Sequence, residues 1–286
     1  MQQRTIRDKR DRFLPYLLLL PVLAFAAVFK LYPIFYSAIS GFHYKGNWSL
    51  RTYELLFRDS VFINSLWVTI RMNLIMTPLQ IVLSLILALM VNNTMKGIGA
   101  FRSIFYLPVT ISMPVAAICF SMILSYNNGV ANTMLNAIGI GTQGFFNDKS
   151  QAMACVILLC TWKGCGYWMM FFLAGLKGID ETLYEAARVD GAGYFSTLFH
   201  ITLPLLRRTS LFVMVADTST NLLLFAPMKL ITDGGPRGTT DVLMYEAYRQ
   251  AFKYGNYNKG SAITSVLIVF TLLIVMIQFK MMADRD

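Results

Sequence analysis

The chain has 286 residues, of which 56% are hydrophobic and 14% are charged, and its formal net charge is +10. This apolar fraction is larger than a soluble domain of this length needs for one core, so the composition excludes an ordinary soluble protein. The basic residues lie mainly at the ends of apolar stretches and in loops, which indicates membrane topology and no nucleic-acid partner.

Six apolar stretches are separated by polar connections, and each is long enough for a spanning helix of about 20 residues. They lack the period-two alternation that is typical of membrane barrel strands. Backbone groups in hydrocarbon must then be hydrogen-bonded within each segment, which only a helix achieves. We therefore predict an all-α protein with six transmembrane helices. The predicted spans cover 13–36, 65–91, 104–124, 151–176, 209–230 and 260–282.

The topology follows from charge. Residues 1–12 carry five basic side chains immediately before the first apolar stretch, so the N-terminus is predicted to be cytoplasmic. An alternative is a signal peptide, because Ala24-Phe25-Ala26 resembles a cleavage site. Six spans place the C-terminus inside as well, with a short cytoplasmic turn at 92–97 and an external loop at 125–149. The protein is therefore expected to be a multi-pass protein of the cell membrane.

The chain has few residues or motifs of the kinds that bind metals or carry out catalysis. The two histidines, His43 and His200, fall on opposite sides of the membrane in this topology, so neither a metal site nor acid–base catalysis is predicted. The four cysteines form no CxxC pair and are interpreted as reduced core residues. No GxxxxGK[ST] segment occurs, so the chain has no recognisable phosphate-binding loop.

The cytoplasmic segment 177–208 has a pattern of its own. The residues around Glu185-Ala186-Ala187 favour a helix, which is predicted to end at Asp190-Gly191. A second short helix is predicted to reach Pro204 at the start of the fifth span. Small residues would let a partner approach the backbone closely, and Glu185 offers a carboxylate to a basic partner. The segment therefore predicts a docking elbow, with a solvated connector as the alternative.

This segment resembles the EAA motif of the permease subunits of bacterial ABC importers. The matching residues are Glu185, Ala186, Ala187, Gly191, Ile201, Leu203 and Pro204, with Asp190 and Ala192 beside the turn. The resemblance extends over most of the chain and is closest to maltose-type and glycerol-phosphate-type carbohydrate permeases. Further matches are Phe101-Arg102, Leu107-Pro108, Gly234-Gly235-Pro236, Thr239-Thr240, Tyr248-Arg249 and Ala251-Phe252.

The resemblance implies a type I ABC importer permease fold, with one permease domain over 1–286 and a core five-helix unit over 65–282. Segment 177–208 would be the coupling helix elbow between helices four and five, with Glu185 against an ATPase subunit and Gly191 at the turn. The implied partners are a second homologous permease subunit, two ATPase subunits and an extracytoplasmic solute-binding protein. ATP and Mg would be bound by the ATPase subunits, with no cofactor in this chain. The implied cargo is a carbohydrate.

Polar residues within the spans are candidates for the solute path, because polar groups at membrane depth are costly. Asp217 and Asn221 are four residues apart, hence on one helical face with Phe225 beyond. Such groups can bind sugar hydroxyls and pack on a sugar ring, although hydrogen bonding between helices explains them too. Lys163 is a further candidate, with a structural pairing to Asp217 as its alternative.

Three aromatic residues beyond the fifth span, Tyr245, Tyr248 and Phe252, are candidates for contact with the binding protein. An aromatic belt at the membrane surface would explain them almost as well. For the whole chain, the main alternative function is a secondary transporter or channel driven by an ion gradient. No internal repeat typical of such transporters is evident, and the docking elbow would have no purpose there.

Overall fold

The computed structural model describes residues 3–44, 46–92 and 97–283, with side chains from Leu14 to Met281 within those ranges. The basic side chains of the predicted cytoplasmic N-terminus lie outside the described side chains. Residues 93–96 of the predicted turn after the second span are also outside the described residues. The described chain forms two compact units, Met1–Arg58 with Ala247–Val266, and Asp59–Glu246 with Leu267–Asp286. The sequence predicts a single permease domain.

The first unit begins with one long helical segment. Its parts are α1 (Gln3–Ala26), a π-helical turn (Ala27–Leu31) and α2 (Tyr32–Gly41). An antiparallel hairpin of β1 (His43–Tyr44) and β2 (Asn47–Trp48) follows, then α3 (Arg51–Phe57). Gly41 allows a close approach, since a Cβ there would lie 3.1 Å from the Ala262 Cα.

The second unit contains most of the spans. Its helices are α4 (Ser60–Val91), α5 (Ile98–Thr110), α6 (Met113–Ile123), α7 (Val130–Ala137), α8 (Ala152–Lys177), α9 (Glu181–Val189), α10 (Tyr194–Thr197), α11 (Leu203–Leu205) and α12 (Arg207–Leu222). Helix α13 (Leu243–Tyr248) and the final helix α14 (Tyr257–Ala283) each include residues of both units. Short π or 3-10 turns occupy Phe145–Asn147, Leu198–Thr202, Met228–Thr232 and Arg249–Lys253.

The six predicted spans are confirmed, and two of them are bent. Among the described residues, four helices are individually long and apolar enough to cross a membrane. The third span is broken between α5 and α6, which meet at 97°, and the fifth is approached through a 66° bend at Leu206. The bends were not predicted. Regular helix in the fifth span also ends at Leu222, whereas the sequence predicts it to 230.

The core of the second unit lies where α4, α8 and α12 meet. Phe172, Met169 and Leu206 are fully buried there against Ala88 and Val213. Helix α5 reaches α8 through Gly166, where a Cβ would lie only 2.0 Å from the Phe105 carbonyl oxygen. Such an approach is available only to glycine, so this residue sets how closely the third span packs.

Gly166→Ala should therefore lower the thermal stability of the purified protein, because its methyl group would overlap backbone and force the helices apart. We expect a loss of about 1–3 kcal/mol. The matched control is Gly99→Ala in α5, where a Cβ meets nothing within 4 Å. Unfolding monitored by intrinsic fluorescence in detergent checks both variants, and equal midpoints would contradict the packing argument.

Candidate functional site

A cluster of buried polar side chains joins three membrane helices in the second unit. The Asp217 carboxylate accepts from Trp168 Nε1 at 2.6 Å and from Asn221 Nδ2 at 2.9 Å. Asn221 also donates to Thr77 Oγ1 at 3.1 Å and to Gln80 Oε1 at 3.0 Å. The cluster therefore ties α12 to α4 and α8 through side chains that are all buried.

Gln80 extends this cluster to the backbone of α8. Its Nε2 donates to the Cys160 carbonyl oxygen at 2.9 Å, and a Cβ at Gly164 would lie 2.8 Å from the same nitrogen. Glycine at 164 thus makes room for the amide. Buried polar groups in an apolar medium are stable only when paired, and this amide has a partner on each of its two neighbouring helices.

The cluster forms one wall of a cavity of about 620 Å³. Its lining includes both predicted polar residues, Asp217 and Asn221, together with Phe225 and Lys163. Tyr167 also lines it and is 41% exposed. The structure thus brings together all four residues that the sequence singled out as candidates for the solute path.

Lys163 does not pair with Asp217 in the structure. Its Nζ donates to the carbonyl oxygens of Pro108 and Val109, at 3.4 and 3.2 Å, where α5 ends at the break in the third span. The carboxyl end of a helix carries a partial negative charge that favours a cation. The structural pairing that the sequence left open is replaced by this contact with the broken helix.

Sequence reasoning missed three members of the cluster, Thr77, Gln80 and Trp168. Gln80 could have been found, because a lone amide in a long apolar stretch needs a partner. Nothing in the sequence marks Trp168, whose indole has the same apolar character as its neighbours in α8. Only the packing of α8 on α12 turns its N–H into a donor for the carboxylate.

The predicted elbow begins with a well-capped helix, α9. The Asp180 carboxylate accepts from the Thr182 backbone N–H at 3.0 Å. Hydrogen bonds from the Thr182 backbone and hydroxyl hold the pKa of Asp180 below its usual value. The cap is therefore charged at neutral pH, and its contribution is lost only as the pH falls through this lowered pKa.

The turn of the elbow is at Gly191, whose φ is +74°. The N–H of Ala192 donates to the Ala187 carbonyl at 2.9 Å, and that of Gly191 to Arg188 at 3.2 Å. This pair of bonds is a Schellman motif, in which the left-handed position favours glycine. Tyr184 then contacts Thr202, hydroxyl to hydroxyl at 3.3 Å, and holds α9 beside the second arm of the elbow.

The second arm runs from Tyr194 to Leu205 as one helical stretch, longer than the predicted 194–200. Of the motif residues, Glu185, Ala186, Asp190 and Pro204 are exposed, whereas Ala187 is buried and Ala192, Ile201 and Leu203 are half-buried. Large apolar side chains are also exposed on the elbow. They are Leu183, Val189 (87%), Tyr194, Phe195, Phe199 and Leu205.

The aromatic candidates for binding-protein contact differ in exposure. Tyr245 is buried, and its hydroxyl donates to Asp233. The expectation for Tyr245 is therefore corrected, because an interior ring offers no surface to a partner. In the other unit, Phe252 is 69% exposed and stacks on half-buried Tyr248 with ring centroids 5.3 Å apart.

Comparison with known proteins identifies the family. Residues 80–285 match the family described as binding-protein-dependent transport system inner membrane component. The chain belongs to this family. The permease is thus a multi-pass inner-membrane protein and a transport subunit, as the six spans and the elbow predicted. The ion-driven alternative has no support.

Two curated relatives are similar over almost their full length. The probable ABC transporter permease protein YurN of Bacillus subtilis (strain 168) is 33% identical, over 95% of this chain and 96% of YurN. The sn-glycerol-3-phosphate transport system permease protein UgpA of Yersinia enterocolitica serotype O:8 / biotype 1B (strain NCTC 13174 / 8081) is 31% identical, over 94% of this chain and 93% of UgpA.

A solved structure shares the fold. A chain in the crystal structure of a bacterial alginate ABC transporter, in complex with an alginate pentasaccharide-bound periplasmic protein, superposes on this permease with a TM-score of 0.87. The two are 26% identical, over 95% of this chain and 94% of that chain.

Asn221→Ala should destabilise the permease, because it removes an amide nitrogen that lies within hydrogen-bond distance of three buried oxygen atoms and takes a donor away from them. We expect a cost of about 1–3 kcal/mol, measured as a lower unfolding temperature in detergent. Thr220→Ala is the control on the same helix, since the exposed Thr220 hydroxyl donates only to the Ala216 carbonyl. If both variants melt together, Asn221 does not hold the three helices.

Proposed function

We propose that this permease forms half of the translocation path for a carbohydrate and couples that path to separate ATPase subunits. A second homologous permease subunit supplies the other half, and an extracytoplasmic solute-binding protein delivers the solute. ATP and Mg are bound by two ATPase subunits. The names of the alginate transporter and of the glycerol-phosphate permeases support a carbohydrate or a closely related cargo.

The observation that carries this proposal is the exposed elbow. A helix with both ends capped holds Glu185 and Ala186 on its open side, and an apolar tip lies beside them at Val189. Large exposed apolar groups outside the spans favour a protein partner over solvent. The ATPase subunit is the partner that this surface fits, with Glu185 available to a basic side chain.

Movement of the elbow can reach the cavity through packed helices. Leu206 is fully buried at the bend between the second arm and α12. Gly175 of α8 lies against the same region, because a Cβ there would be 2.9 Å from Leu206 Cδ2. Asp217 follows ten residues after Arg207 on α12, which is roughly 15 Å along the helix axis. Displacing the elbow therefore moves the wall of the cavity.

The cavity has the composition that a sugar requires. Phe225 and Tyr167 offer aromatic faces to the apolar side of a sugar ring, and Asn221, Thr220 and Lys163 bring polar groups to the same space. Concave sites of this kind combine apolar walls with a few placed polar groups. Asp217 serves the path as the anchor of its polar wall.

The proposed orientation places both termini and the elbow in the cytoplasm. Tyr248 and Phe252 then lie on the outer side, where Phe252 is available to the binding protein. Alternating access follows when the docked elbows turn the paired spans between inward-open and outward-open states. Only ligands that bind the two states with different affinity can bias this equilibrium, namely ATP on the partner subunits and the loaded binding protein.

The proposal is tested on the complex that co-purifies with the tagged permease, reconstituted in lipid nanodiscs with its binding protein. ATPase activity is measured across a panel of sugars and sugar derivatives. Stimulation by one solute supports the proposal. A chain that purifies without any ATPase subunit, or that transports on an ion gradient alone, contradicts it.

Gly191→Ala should weaken coupling without preventing assembly, because alanine at a positive φ costs about 1–2 kcal/mol and so populates an altered turn. We expect solute-stimulated ATPase activity to fall by up to about tenfold, whereas Gly193→Ala in the same loop leaves it unchanged. Gly193 has a φ of −74°, and neither glycine has a neighbour within 4 Å of a new Cβ. Equal activity in the two variants would remove the turn from the mechanism.

Val189→Asp should reduce the amount of ATPase subunit that co-purifies with the permease, because it places a charge at the most exposed point of the apolar tip. Val130→Asp is the matched control, since Val130 is 55% exposed on α7, in the predicted external loop. Quantitative gel analysis of the purified complexes measures the ratio of subunits. Loss of the ATPase from both variants would point to misfolding and not to the interface.

A further inference from the structure

Among the described residues that line the cavity, Lys163 is the one basic residue and Asp217 is the one acidic residue. Within the described residues, the Lys163 ammonium donates to the carbonyl oxygens of Pro108 and Val109 and makes no ion pair. Carbonyl dipoles hold the ammonium in place but do not cancel a full charge. An uncompensated cation at membrane depth is costly, which makes it a marker for a ligand of opposite charge.

The carboxylate of Asp217 already has hydrogen-bond donors within the protein. Asp217 is 1% exposed, and each of its two oxygen atoms accepts a hydrogen bond, one from Trp168 and one from Asn221. Both oxygen atoms of Asp217 are thus engaged by donors within the protein. A solute in the cavity meets the half-exposed lysine and not the buried carboxylate.

The break in the third span also brings the amino end of α6 to the cavity. Helix α6 starts at Met113, which lines the cavity, and its N-cap residue Ser112 provides no side-chain cap. Pro114 has no N–H, so the first turn offers the backbone N–H groups of Met113 and Val115. The amino end of a helix has backbone N–H groups without intrahelical partners and a partial positive charge. In discontinuous membrane helices, such half-helix ends point at the anionic groups of substrates.

We propose that the transported solute carries an acidic group, and that its anionic oxygen atoms bind between Lys163 and the amino end of α6. The proposal rests on the proposed import function and narrows its cargo to acidic sugars. A uronate carboxylate and a sugar phosphate share this chemistry. The sugar ring itself packs against Phe225 and against Tyr167, which lies one helical turn from Lys163 on α8.

The test uses the whole complex with its binding protein in proteoliposomes and two matched pairs of solutes. One pair is a uronic-acid oligosaccharide and its carboxyl-reduced neutral form, and the other is a sugar phosphate and its dephosphorylated form. We expect uptake of one acidic solute and little uptake of its neutral partner. The pair that is transported distinguishes a carboxylate from a phosphate.

Lys163→Gln should then slow uptake of the acidic solute by about tenfold or more, because a hydrogen bond to a charged group is lost. Lys163→Arg keeps the charge and should restore most of the uptake. The control is Lys149→Gln, which removes an exposed cation from the loop before α8.

Two results would overturn the inference while leaving the import function intact. The first is equal uptake of the acidic and neutral forms by the unmodified complex. The second is a Lys163→Gln complex that loses thermal stability and transports no solute, while Lys163→Arg recovers no more uptake than Lys163→Met. Lys163 would then serve only to hold the broken helix. Absence of ATPase stimulation by every solute would instead contradict the import function itself.

Discussion

Hydrogen bonds to the Asp217 carboxylate hold together the part of the permease on which the rest depends. They connect α12 to α8 through Trp168 and, by way of Asn221, to α4. Lipid provides no hydrophobic drive for apolar helices to associate, so packing and polar contacts between helices carry much of the specificity. Any movement of α12 must therefore carry the polar wall of the cavity with it.

The cavity lies at the break in the third span. Hydrocarbon tolerates interrupted helices only where the freed backbone groups find partners or line a cavity. Both conditions are met at Lys163, which binds carbonyl groups at the end of α5, and at Met113, which lies in the cavity lining where α6 begins. The cavity and the broken span are thus two aspects of the same structural feature.

The elbow and the cavity depend on different kinds of information. The elbow is a local structure: Asp180 caps the helix, Gly191 supplies the left-handed turn, and the chain closes on itself within five residues. Its position and its turn were accordingly predictable. The 66° bend at Leu206 was not, because it depends on how that side chain is buried against α8.

The sequence by itself determined the six spans and the turn of the elbow, and it singled out four residues that the fold brings to one cavity, because apolar length, caps and costly polar residues are local signals. It predicted that Tyr245 contacts the binding protein, whereas the fold buries this ring. It also left a structural pairing of Lys163 with Asp217 open. Only the tertiary structure gave Asp217 its Trp168 donor and Lys163 its contacts at the broken helix. These contacts join residues some 50 positions apart in the chain, and side chains at such separations meet only when whole helices pack.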